Sequence, residues 1–174
     1  MSSIRLSCCL IAAAILATSP ARAHITLKAR EAAIGSAYDA VFVVPHGCAG
    51  SATTKIRVQI PEGVIAAKPM PKAGWTVDAV NGKYAAEYDF HGNKVSEGVK
   101  EVVWSGGKLP DDFYDEFVIS TFLTGALKPN AMLYFPVVQE CEQGVSRWIE
   151  IPADPAHTHD GKWPAPGVKL IPKP

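Results

Sequence analysis

Beyond Ala17 this 174-residue chain has no apolar run long enough to anchor it in a bilayer. It has no excess of either charge, with 17 basic and 17 acidic side chains, and so no electrostatic footprint for nucleic acid. It contains no nucleophile elbow, no phosphate loop and no His-Glu-x-x-His, which leaves hydrolytic readings weak. Methionine is scarce: apart from the start residue there are only Met70 and Met132, poor material for a methionine-rich Cu(I) site. Helical periodicity over any useful length is also missing.

What is present begins with a leader. Arg5 supplies a positive charge, Leu6 to Ala17 an apolar run of signal-peptide length, and Ala21 and Ala23 the small residues of a cleavage site. Residues 1–23 are therefore expected to be removed, leaving His24 first in an exported, soluble chain that is periplasmic or secreted. Cys8 and Cys9 do not stand at the end of the run, where a lipidated cysteine belongs. Loss of Arg5 and Arg22 from the 17 basic residues leaves 15 against 17 acidic ones, a charge near −2. Two cysteines remain, Cys48 and Cys141, in a compartment where disulfides persist. A structural bridge between them, a pair of thiolate metal ligands and two free buried thiols are the three readings. A bridge closing so long a loop would stabilise the fold by roughly 4 to 5 kcal/mol in the chain-entropy model.

The pattern is β throughout. In "TTKIRVQIP" Ile56, Val58 and Ile60 alternate with Lys55, Arg57 and Gln59, the signature of a half-buried strand. "GWTVDAV" and "KYAAEYDF" flank Asn81-Gly82, a pair suited to a type I′ turn, so Trp75 to Phe90 is expected to form a hairpin. "YDAVFVVPHGC", "EVVWSG", "DEFVISTFL", "AMLYFPVVQEC" and "SRWIEIP" add further strands, the last two joined by Glu142-Gln143-Gly144. Eight or nine short strands with frequent Gly and Pro predict a single antiparallel β-sandwich over residues 24–152. Residues 153–174, rich in proline, are expected to be an extended tail lying on the sandwich or partly loose.

His24 is the residue with distinctive chemistry. Once Ala23 is removed, its α-amine and imidazole Nδ1 can close on one metal ion as a six-membered chelate, which no interior histidine can do. The amine's reference pKa of ~7.7 to 8.0 lets a metal displace its proton near neutrality. Two nitrogens with an oxygen donor in a tetragonal arrangement suit Cu(II). The alternative is a histidine left at a frayed terminus by processing alone. Other donors are weaker candidates: His46 with Cys48 and Cys141 as a thiolate–imidazole site, His157, His159 and Asp160 as a surface site in the tail, and Met70 as a Cu(I) thioether. His91 has the setting of a loop residue.

The strings "AHITLKAREAAIGSAYDAVFVVPHGCAGSATTKIRVQIPEGV", "AKPMPKAGW", "SEGVKEVVWSGGKLPDDFYDEF", "LYFPVVQECEQG" and "WIEIP" closely resemble the YcnI-like domain family of exported copper-binding proteins, from His24 to about Pro152. The resemblance implies an immunoglobulin-like or cupredoxin-like sandwich. It also implies one Cu(II) held by a monohistidine brace at the first mature residue, helped by a carboxylate and close to a tryptophan. His24 matches the brace histidine, Glu31 the acidic position and Trp148 the tryptophan, whose role would be to shield the ion and tune its environment. The chain departs from the family pattern at Ala29, where proline is frequent, and lacks the C-terminal membrane helix some members carry.

The expectation is thus a copper-binding protein without catalytic activity that stores or delivers the ion. Its partners would be the copper ion and another copper chaperone or a membrane copper transporter or oxidase, with no nucleic acid and no membrane anchor in the mature chain. Two alternatives belong to other classes. A copper oxidase or oxygenase would need a second neutral imidazole, for which His46 is the natural candidate. An interaction module would use the sandwich and no metal.

Overall fold

The computed structural model describes residues 24–153 and 161–173. No helix forms among them. The chain runs through β1 (Thr26–Leu27), β2 (Glu31–Ala33), β3 (Ser36–Val44), β4 (Thr53–Gln59), β5 (Val64–Pro69), β6 (Thr76–Phe90), β7 (Asn93–Leu109), β8 (Asp115–Leu123), β9 (Met132–Tyr134), β10 (Val137–Cys141), β11 (Val145–Trp148) and β12 (Gly167–Ile171). One sheet has the order β1-β3-β8-β5 and a second the order β11-β10-β4-β7-β6; a small third sheet runs β2-β12-β9. All pairings are antiparallel except that of β12 with β2.

Alternation explains which face each strand buries. In β4 Ile56 and Val58 are fully buried while Gln59 is exposed; in β3 Ala40, Phe42 and Val44 are fully buried. These residues meet Trp104 of β7, Phe117 and Ile119 of β8 and Phe135 in one core. The Trp104 ring lies edge-on to Phe117 at 5.4 Å, and its indole N–H donates to the Met70 carbonyl at 3.1 Å, so the largest core side chain also has its polar atom satisfied. Cys48 and Cys141 form a disulfide with their Cα atoms 5.9 Å apart, joining the loop after β3 to the end of β10.

Two expectations need correction. Asn81-Gly82 does not turn the chain: Asn81 pairs with Val99 and Gly82 with Gly98 inside the long β6–β7 ladder. The reversal comes at His91-Gly92, both at positive φ (53° and 83°), the backbone a two-residue hairpin turn requires. Glycine serves close approach at the earlier position, where the Lys100 side chain crosses Gly82, 3.0 Å from where a Cβ would stand. The second correction concerns the tail. Gly167–Ile171, expected within an extended tail, is the central strand of the third sheet, with Val168 and Leu170 buried in the main core. Alternating "GVKLI" outweighs the prolines around it, because those prolines lie outside the strand where no ladder hydrogen bond is lost.

Candidate metal site

Ile25 and Leu27 are almost completely buried, so period two turns His24 and Thr26 to the other side of the chain. Strand β1 is short and forms the edge of its sheet, held by Thr26 opposite Val43 and Leu27 opposite Phe42. Trp148 ends β11, the edge of the other large sheet. His24 and Trp148 meet where these edges converge, their rings edge to face with centroids 5.5 Å apart.

Trp148 is almost fully buried, and its orientation is fixed by a residue that sequence reasoning passed over. Gln139, on β10 and fully buried, accepts the Trp148 indole N–H at Oε1 (3.0 Å). Its Nε2 donates to the His46 carbonyl at 2.7 Å and to the Thr53 hydroxyl at 2.8 Å. Both amide hydrogens are used, and the indole N–H is committed away from His24. Trp148 therefore presents ring carbon to the histidine. The only sequence signal for Gln139 is a polar residue in the inward phase of "VVQEC".

The C-terminal segment supplies one wall of a cavity beside His24, from Pro164 to Gly167. Glu150 N–H donates to the Trp163 carbonyl at 3.0 Å, Ala165 N–H donates to the Glu150 carbonyl at 2.8 Å, and the Trp163 N–H donates to a Glu150 carboxylate oxygen at 3.1 Å. This clamp sets the Trp163 ring 4.8 Å from Trp148 and carries Pro164 to Gly167 past His24. A cavity of about 90 Å³ results, bounded by His24, Arg30, Met132, Tyr134 and Gly167 among others. Burial pushes the Tyr134 phenol up from its ordinary pKa, so at neutral pH it stays protonated and offers no phenolate.

Glu31 sits on the outer face of the third sheet, one residue beyond Arg30. It is opposite Lys169, which in turn is opposite Met132, so Glu31, Lys169 and Met132 form one cross-strand row. Its carboxylate lies 3.4 Å from Lys169 Nζ and is not part of the cavity wall. His24 and Trp148 are thus brought together, while Glu31 is held one strand away by a lysine. His46 stands on the far side of Gln139, with Nδ1 2.5 Å from the Gly47 carbonyl. His157, His159 and Asp160 lie outside the described residues. No group of three or more His, Cys, Asp or Glu side chains assembles among the described residues; a terminal brace does not need one, since the α-amine supplies the second nitrogen.

Residues 24–170 match a family described as a domain of unknown function, DUF1775. The chain belongs to the DUF1775 family. The match starts at His24 and continues past Pro152 into β12, in accord with the strand's place in the fold. A DUF1775 domain of this kind has a solved structural counterpart: the crystal structure of an uncharacterised protein from Nocardia farcinica, described as revealing an immunoglobulin-like fold. It aligns at 25% identity with a TM-score of 0.62, covering 85% of this chain and 98% of that one. No curated protein matches this chain.

Proposed function

We propose that this DUF1775 protein is exported, is cut after Ala23, and holds one Cu(II) through the α-amine and Nδ1 of His24, storing or delivering copper outside the cytoplasm without catalysing a reaction. The observation that carries the reading is the position of His24. The residue that cleavage would turn into a bidentate chelator is packed against Trp148 on the wall of a small cavity, at the first residue of the family match. A histidine stranded by processing would have no reason to be seated on a nearly buried indole.

In this reading the amine and imidazole nitrogens bind the ion and Trp148 limits water on one side. Glu31 supplies an oxygen by exchanging Lys169 for the metal. A carboxylate is needed there because Arg30 already brings a positive charge to the cavity wall. The ion would pass to or from another copper chaperone or a membrane copper protein.

Titration of the chain beginning at His24 with Cu(II), followed by competition with a chelator and by quenching of tryptophan emission, tests the reading. His24→Ala should abolish tight binding. Glu31→Gln, which keeps shape and loses charge, should weaken it about tenfold and leave the fold unchanged. Tight binding by His24→Ala would overturn the proposal.

A further inference from the structure

The sulfur atoms of the described residues are distributed unevenly. Cys48 and Cys141 are consumed by their disulfide. Met70 is half exposed beyond β5, where its backbone carbonyl receives the Trp104 indole. Met132 is different, because its side chain lines the same cavity as His24.

The local sequence explains how it gets there. Leu133 is buried in the core, so Met132 and Tyr134 share the opposite face of β9. On β12 Gly167 stands opposite Tyr134 and diagonal to Met132, which is itself opposite Lys169, and its missing side chain leaves room for both. A Cβ there would lie 3.0 Å from Met132 Cε and 2.9 Å from the Tyr134 ring. The end of the thioether side chain lies over Gly167 on the cavity wall, half-buried, with the Tyr134 ring also over Gly167.

We propose that Met132 is the soft donor of the His24 site, giving it a thioether for Cu(I), so that this one site takes copper in either oxidation state. Thioethers select Cu(I), while amine and carboxylate donors favour Cu(II) and imidazole serves both. The inference rests on the His24 reading above and adds to it a ligand and an oxidation state.

The test uses the mature chain beginning at His24, with Cu(I) supplied anaerobically and Cu(II) supplied separately, each in competition with a chromophoric chelator. Met132→Leu, which keeps the apolar bulk over Gly167, should weaken Cu(I) binding at least tenfold and change Cu(II) binding less than threefold. The Cu(II)/Cu(I) potential should fall accordingly, by about 59 mV for each tenfold differential loss. X-ray absorption of the unsubstituted protein provides a reading independent of any variant: a sulfur scatterer with Cu(I) bound, retained in Met70→Leu. Undiminished Cu(I) affinity in Met132→Leu, or the absence of that scatterer, would overturn the inference while leaving Cu(II) loss in His24→Ala to stand for the brace. If His24→Ala lost neither ion, both would fall.

Discussion

Gln139 connects three places at once: the indole that backs His24, the His46 carbonyl beside the disulfide loop, and the Thr53 hydroxyl on β4. Gln139→Leu would fill the space and strand one donor, the Trp148 N–H, and two acceptors, the His46 carbonyl and the Thr53 hydroxyl, inside the fold, each unsatisfied group costing about 1–3 kcal/mol. The variant should lose on the order of 3 kcal/mol or more in denaturant unfolding, and Trp148 emission should change because its N–H loses its acceptor. Stability within about 0.5 kcal/mol of the parent would contradict the assignment. At this scale the sequence singled out His24 through the expected leader, and Glu31 and Trp148 through resemblance to a family; of the three, His24 and Trp148 lie together, while Glu31 pairs with Lys169 outside the cavity lining. Gln139, Trp163 and Met132 were not legible as parts of a site, because what gives each its role is the identity of its cross-strand or cross-sheet neighbour, which no local pattern encodes.

Among the elements, β12 most changes the picture. Leu170 is 2% exposed within the core, so Leu170→Ala should cost about 2–5 kcal/mol, measured by thermal or urea unfolding. A neutral result would mean that the C-terminal strand is not docked. The β6–β7 ladder has a pH-sensitive tie. Glu62 accepts hydrogen bonds from Lys100 of β7, from the Tyr88 hydroxyl at 3.0 Å and from the Ala85 N–H at 3.2 Å. Desolvation alone would raise its pKa, but these bonds outweigh it and hold the carboxyl below its ordinary 4.5. With the folded pKa below the unfolded one, the contribution is complete above the unfolded value and is lost as pH falls through the folded value. Glu62→Gln should therefore destabilise the protein near pH 7 and by much less near pH 3, in paired unfolding curves. Most strands were readable from alternation: "DEFVISTFL" corresponds residue for residue to β8. The Asn81-Gly82 turn was not, since the same pair fits a type I′ turn and a ladder position where a long side chain must cross close to the backbone.

For the whole molecule, the two large sheets, the third sheet and the disulfide converge on one corner. The edge strands β1 and β11 leave a gap that residues 163–167 close, and the disulfide ties the loop after β3 to the strand that carries Gln139. The composition made an antiparallel sandwich legible, with its many short alternating strands and no helical period. It gave no sign that the proline-rich end would wall the candidate site. The central claim is that the free amine of His24 completes a copper chelate, and one comparison tests it most directly: calorimetric Cu(II) titration of the chain starting at His24 against the same chain carrying one extra alanine before it. The extra residue turns the His24 nitrogen into an amide and leaves every side chain in place. One tight equivalent of Cu(II) in the first protein, and a loss of at least a hundredfold in affinity in the second with an unchanged unfolding temperature before copper is added, is the predicted result. Equal affinity in the two proteins would contradict it.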